Sequence, residues 1–152
     1  MNRDFVEMLF ALSDAEVEFL VVGAHALAAH GVPRATGDLD IWVKPTPENA
    51  VRAHRALRDF GAPTASLTAE DLTTPEQVFQ IGLPPCRIDI LTSLTGIGFE
   101  EAWSRRTSVR VEDRPIPVLG RQDLIQNKRA TGRPQDLADV ARLAETGGAN
   151  TN

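Results

Sequence analysis

Apolar residues recur along this chain with two different periods, and the switch between them predicts its elements. Phe5, Met8, Leu9 and Leu12 are three and four residues apart, which is one stripe of an amphipathic helix. Val17 to Gly23, VEFLVVG, is an almost unbroken apolar run ending on glycine, and predicts a buried strand. The alanine-rich AHALAAHG predicts a short helix closed by Gly31, followed by the loop VPRATG. GDLDIWVK, Gly37 to Lys44, predicts the next strand. In TPENAVRAHRALRDFG, Pro47 suits the first helical turn, Glu48 the positive helix end and Gly61 the stop. Its pattern of Val51, His54, Leu57 and Arg58 predicts a half-buried helix.

The stretch from Ala62 to Gln77 is polar and turn-rich, with room for one short helical turn. VFQIGLPPCRIDILT predicts two strands broken at Leu83-Pro84-Pro85, of which Arg87 to Leu91 is the stronger. FEEAWSRR predicts a short helix and TSVRVEDRPIPVLG a hairpin around Glu112 to Arg114. Two helices, Gln122 to Thr131 and Pro134 to Glu145, close the chain, separated by Gly132. Strands and helices alternate, yet the later strands leave no room for crossover helices. The fold class expected is therefore α/β (α+β), a mixed β-sheet with helices packed against it. Residues 1–146 are expected to form a single domain and 147–152 a frayed tail.

Composition narrows the picture only a little. At 152 residues, 42% hydrophobic and 24% charged, the chain can bury an ordinary globular core. A net charge of −5 offers no overall basic field to gather nucleic acid. The one cysteine, Cys86, forbids an internal disulfide, fits a reducing compartment and reads as a small core residue. Acids every few residues near the N-terminus resemble neither a signal peptide nor a membrane span. A cytoplasmic protein without a membrane segment is expected.

The chemistry begins with GDLDIWVK. Side chains alternate across a strand, so Asp38 and Asp40 share one face while Leu39, Ile41 and Val43 share the other. Two carboxylates so close repel, and a hard divalent cation with oxygen ligands is the natural neutraliser. RIDIL repeats the device, with Asp89 facing away from Ile88 and Ile90. If the two strands are neighbours, three carboxylates meet on one sheet face and can hold two metal ions for in-line phosphoryl displacement. Gly37-Asp38 alone reads equally as a turn, but Asp40 and Asp89 are each flanked on both sides by apolar residues. Ahead of them, VVGAHALAAHG is a strand, a Gly23-Ala24 turn and a helix, which lets backbone N–H groups approach a phosphate.

Gly23-Ala24, then Asp38-Leu39-Asp40 after a short helix, then Asp89 on a later strand, resembles the nucleotidyltransferase fold of the DNA polymerase β superfamily. Within it, VVGAHALAAHGVPRATGDLDIWV, RIDILT and GRQDLIQNKRATGRPQDLADVARL most resemble small bacterial members of the AbiEii/MenT type, over roughly Phe19 to Leu143. The resemblance implies that Asp38 and Asp40 ligate two Mg²⁺ ions, while Asp89 ligates the catalytic one and helps deprotonate an acceptor hydroxyl. It implies that Gly23 and Ala24 face the triphosphate of an NTP. Ala24 departs from the family's glycine or serine: it keeps the N–H and loses any hydroxyl contact. Many relatives also carry an additional helical domain, for which 152 residues leave no room.

Arg34, just before Asp38, is placed to reach the nucleotide, and the family's C-terminal lysine corresponds to Lys128; Arg133 is a further candidate. Lys128 reads equally as a phosphate ligand or as part of a solvated face with Arg129, and Arg129 fits the solvated face. Asp136 and Asp139 share a helix face; Asp136 suits the helix start and the orientation of Lys128, and Arg142 is the expected partner of Asp139. His25 and His30, five residues apart, suit packing rather than zinc, and Trp42 and Trp103 suit the core.

The resemblance thus implies a minimal Mg²⁺-dependent nucleotidyltransferase that moves NMP from an NTP to a hydroxyl of a protein, an RNA such as tRNA, or a small molecule, with a toxin–antitoxin setting in related branches. The alternative is a non-catalytic module of the same fold that binds nucleotide or a partner. Acid clusters also serve metal-dependent nucleases, but the Gly23-Ala24 turn aims at a terminal phosphate instead.

Overall fold

The computed structural model describes residues 1–34 and 37–149, so Ala35 and Thr36 of the VPRATG loop and residues 150–152 of the expected tail lie outside the described residues. The first helix, α1 (Arg3–Asp14), starts where the Asn2 side chain accepts a hydrogen bond from the Asp4 N–H at 2.7 Å. It buries Phe5, Val6, Met8, Leu9 and Leu12, the stripe its spacing predicts. Strand β1 (Phe19–Val22) is buried along its whole length and runs into α2 (Gly23–Ala29) without a loop. Then follow β2 (Leu39–Val43) and α3 (Pro47–Phe60), which begins on its proline and stops at Gly61 in the left-handed conformation.

The expected face of α3 needs one correction. Val51 is 56% exposed, and the buried stripe is Asn49, Ala50, Ala53, Ala56 and Leu57. Alanines let α3 lie close against α1, and Asn49 is buried because loop backbone satisfies it. Its amide donates to the Glu18 and Lys44 carbonyls, both at 2.9 Å, and its carbonyl accepts from the Glu18 N–H at 2.8 Å.

A 3₁₀ turn (Glu70–Thr73) is the short helical turn of the polar stretch, and β3 (Val78–Ile81) and β4 (Ile88–Leu91) are the two strands either side of Pro84-Pro85. After α4 (Phe99–Ser104), strands β5 (Thr107–Val111) and β6 (Arg114–Val118) form the hairpin. Its two-residue turn holds Glu112 and Asp113 at positive φ, the geometry that matches strand twist. Helix α5 (Arg121–Thr131) ends at Gly132, and α6 (Pro134–Ala149) continues past Glu145, where the sequence reading ended it.

The six strands form one mixed sheet in the order β3-β4-β2-β1-β6-β5. β1 is antiparallel to β2, β2 is parallel to β4, and the two outer hairpins are antiparallel. The parallel join of β1 to β6 is confined to Val21 opposite Val118. Pro115 and Pro117, which have no N–H to offer, occupy the preceding part of β6.

Leu39, Ile41 and Val43 are completely buried on one side of β2. On the other side the cover is graded. Trp42 is buried edge-on against Phe99 of α4 with ring centroids 5.0 Å apart, and Phe99 stacks in turn on Trp103. Asp40, two residues back, is only partly covered, and Asp38 is 31% exposed at its side chain. The acids therefore lie where the apolar cover of this face runs out.

Candidate active site

Strand pairing brings the acids together. Asp40 is in register with Asp89 across the parallel β2–β4 pair, and the Leu39 N–H donates to the Arg87 carbonyl at 3.0 Å. Neighbouring strands are about 4.8 Å apart, so two side chains in register on one face must meet. The same row continues to Val22 of β1 on one side and Gln80 of β3 on the other.

Gly23 explains how Asp40 fits. A Cβ at this position would fall 2.3 Å from Asp40 Oδ2, and the residue sits at φ +67°. The backbone turn between β1 and α2 is thus pressed directly on the carboxylate. Ala24 follows in the first turn of α2, partly exposed. With only seven residues, α2 contributes little macrodipole, and the turn offers its N–H groups rather than a strong field.

Burial raises the Asp40 carboxyl, and the adjacent Asp89 charge, a hydrogen bond with Asp89 and the charge of Asp38 raise it further. Arg87 opposes them, and the balance leaves Asp40 at about 6. The arginine was not singled out in the sequence, though its position carried a signal: Arg87 and Asp89 are two apart and share a strand face. Its guanidinium reaches Asp38 Oδ2 at 2.8 Å and Asp89 Oδ1 at 3.0 Å. Of its contacts to Asp89, the one from Nη2 to Oδ2, at 3.3 Å, is aligned as a hydrogen bond, and Asp89 Oδ1 is buried without an aligned donor.

The three carboxylates suit a hard divalent cation by donor type, and the orphaned Asp89 oxygen and the proton-sharing Asp40 both call for one. As the side chains lie, no group of three His, Cys, Asp or Glu among the described residues encloses a cation. Arg87 instead contacts both Asp38 and Asp89. By donor type and charge the residues present fit Mg²⁺.

The three candidate cations meet elsewhere than at these acids. Arg34 pairs with Asp139 Oδ1. Lys128 lies 3.4 Å from both Asp136 Oδ1 and Asp139 Oδ2, and only 12% of its side chain is exposed. Arg133 holds Asp136 through Nε at 2.7 Å and Nη2 at 3.1 Å while staying 70% exposed. Both aspartates are buried, so Lys128 is no member of a solvated face, whereas Arg129 is exposed. The expected Asp139–Arg142 pair is replaced by Arg34 and Lys128, because Asp139 faces inward from α6. Arg34 is four residues from Asp38, which caps the distance between their backbones at about 14 Å. Three cations against two carboxylates leave a net charge of +1 in this cluster.

Asp136 also accepts from the Thr131 hydroxyl at 2.7 Å and the Arg133 N–H at 3.2 Å, and these donors, Arg133 first, hold its carboxyl well below the usual range. A depressed carboxyl stabilises the fold fully above its unfolded value near 4, and that contribution is lost progressively as pH falls from there through its much lower folded value. Removing one member of such a buried network typically costs about 3 kcal/mol. Asp136→Ala should lose about this much stability at pH 7 by urea unfolding, with the gap to wild type narrowing only gradually as pH is lowered below about 4.

Of the remaining candidates, His25 packs edge-on against Phe5 at 5.6 Å, and His30 Nε2 lies 2.7 Å from the Leu119 carbonyl. Burial is the main cause that lowers both rings below their ordinary value. Cys86 is not a core residue: it is partly exposed in the β3–β4 loop, where its Sγ accepts from the Asn2 amide at 2.9 Å. No helix among the described residues is long and apolar enough to cross a membrane.

Neither a family profile nor a curated protein matches the sequence itself. The backbone is similar to several solved structures over nearly its full length. The candidate nucleotidyltransferase TM1012 of Thermotoga maritima is 18% identical, with a TM-score of 0.59 over 95% of this chain and 96% of that one. The lincosamide antibiotic adenylyltransferase LnuA, solved with lincomycin, is 13% identical, with a TM-score of 0.61 over 96% and 98%. The antibiotic-resistance factor ANT(2'')-Ia is 14% identical, with a TM-score of 0.57 over 95% and 82%. With its mixed six-stranded sheet and flanking helices, the chain has the nucleotidyltransferase fold.

Proposed function

We propose that this protein transfers a nucleoside monophosphate from an NTP to a hydroxyl acceptor. The observation that carries the reading is the register of Asp40 with Asp89, with Asp38 on the same face and the Gly23 backbone pressed against Asp40. Asp38, Asp40 and Asp89 would hold two Mg²⁺ ions, which supply Lewis acidity and offset the charge on the reacting phosphate. The turn at Gly23 and Ala24 presents backbone N–H groups to the terminal phosphates. Asp89 accepts the proton of the acceptor hydroxyl as its oxygen bonds to the α-phosphorus. The bond from that phosphorus to the bridging oxygen breaks, and pyrophosphate leaves. Arg34, Lys128 and Arg133, whose cluster with Asp136 and Asp139 carries a net positive charge, would offset the charge of the phosphates.

The acceptor divides the reading. The sequence resemblance to the AbiEii/MenT type favours an RNA end or a protein side chain and a toxin–antitoxin setting in the cytoplasm. The end-to-end likeness to LnuA, named as a lincosamide adenylyltransferase, favours a small molecule. Incubating the protein and Mg²⁺ in lysate with each α-labelled NTP decides among them: label enters RNA, protein or the small-molecule fraction. Absence of label from all three with every NTP would overturn the proposal.

Two features favour a second reading, a non-catalytic nucleotide- or partner-binding module. Ala24 offers no hydroxyl, and Arg87 stands among the acids. Under the catalytic reading Ala24→Ser restores a phosphate contact, and one hydrogen bond to a charged group tightens NTP binding roughly tenfold. Titration of NTP into both proteins measures this, and an unchanged Kd favours the partner-binding form of the second reading.

A further inference from the structure

Arg87 is the residue that neither the fold nor the proposed chemistry absorbs. Three carboxylates gathered on one partly covered sheet face repel one another, and the free protein needs a cation among them. The guanidinium is that cation. It contacts Asp38 at 2.8 Å and Asp89 at 3.0 Å, and it reaches both because a planar fork can bridge two acceptors. Its backbone is held, since its carbonyl accepts from the Leu39 N–H at 3.0 Å. The side chain is 28% exposed, so a path to solvent exists without moving the strand.

We propose that Arg87 is an internal counter-cation that competes with divalent metal for Asp38 and Asp89. This rests on the reading of the three aspartates as a metal site and adds a control to it. In the free protein the guanidinium keeps the acids together and keeps bare metal out. A metal–nucleotide complex, whose divalent ion carries twice the charge of the guanidinium and whose phosphates complete the ion's ligand set, turns it out of the site. Outside, its two N–H edges suit a phosphate oxygen pair. Arg87 is a positioning residue in this scheme: it acts through Asp38 and Asp89.

A merely structural role predicts the opposite sign. If Arg87 only braced the strands, its removal would loosen the acids and weaken metal binding or leave it unchanged. Competition predicts that removal tightens it. The test is Mn²⁺ binding to the full chain without nucleotide, read from the electron paramagnetic resonance signal of free Mn²⁺. Arg87→Gln should lower the Mn²⁺ Kd about tenfold, and Arg87→Lys, which keeps the charge but reaches one carboxylate at a time, by a smaller factor. Should the glutamine variant fail to fold, the lysine variant carries the same sign test.

An equal or weaker Mn²⁺ affinity in the folded Arg87 variants, alongside loss of binding in Asp40→Asn, overturns the proposal and leaves the metal site standing. Mn²⁺ binding that Asp40→Asn leaves intact, or that neither wild type nor the Arg87 variants show, overturns both. Detectable binding in Arg87→Gln where wild type shows none supports the competition most strongly.

Discussion

Asp40→Asn is expected to melt at a higher temperature than the wild type in chelator at pH 7, while transferring nucleotide at least about a thousandfold more slowly. The two effects share one cause. Folding raises the Asp40 carboxyl to about 6, so the native state binds its proton more tightly than the unfolded chain does. An acid shifted upward loses stability as pH rises from its unfolded value, about 4, through its folded value. At pH 7 the wild type carries the full penalty of a partly buried charge beside Asp89 and Asp38. Asparagine has nearly the same shape and no charge, so it escapes that penalty and loses the ligand. The gap in melting temperature should shrink below pH 4, where both chains are neutral at this position. Thermal melts at pH 4, 6 and 7 check the sign, and a wild type that melts higher at pH 7 would contradict it.

Gly23→Ala should be nearly as damaging to activity, through shape rather than charge. Its Cβ would lie 2.3 Å from Asp40 Oδ2, so the carboxylate must leave its place in the row with Asp89. The backbone at φ +67° adds strain of about 1–2 kcal/mol for any residue with a Cβ. Transfer should fall by two orders of magnitude or more, since a displacement near 1 Å at a reacting centre has that scale. Urea unfolding should show the accompanying loss of stability. A Gly23→Ala protein with wild-type turnover would mean that Asp40 is not held by this turn.

The acids were legible because each violates its surroundings: Asp40 and Asp89 interrupt apolar strands, and period-two alternation places them on defined faces. Their meeting was conditional on strand order, which the parallel β2–β4 pairing supplies. Arg87, on the same face two residues before Asp89, lies just before its strand, where a charge interrupts no apolar run.

The C-terminal cations show a different limit. Helical spacing suggested Arg142 for Asp139, but Asp139 is buried and is met by Arg34 from a distant loop and by Lys128 of α5. Nothing in local periodicity carries a contact between residues 34 and 139. The face of α3 failed for a related reason: alanine is apolar enough to bury yet common on surfaces. Its stripe of Ala50, Ala53 and Ala56 became distinguishable from Val51 only once α1 lay against it.

Pyrophosphate release by the purified chain tests the central claim most directly. With each NTP, Mg²⁺ and the lysate fraction that takes up label, the wild type should release pyrophosphate in step with labelled acceptor. Release should vanish in chelator and in the Asp38→Asn/Asp89→Asn double variant. Release that survives in that variant, or none from any NTP with any fraction, would contradict an active site built on Asp38, Asp40 and Asp89.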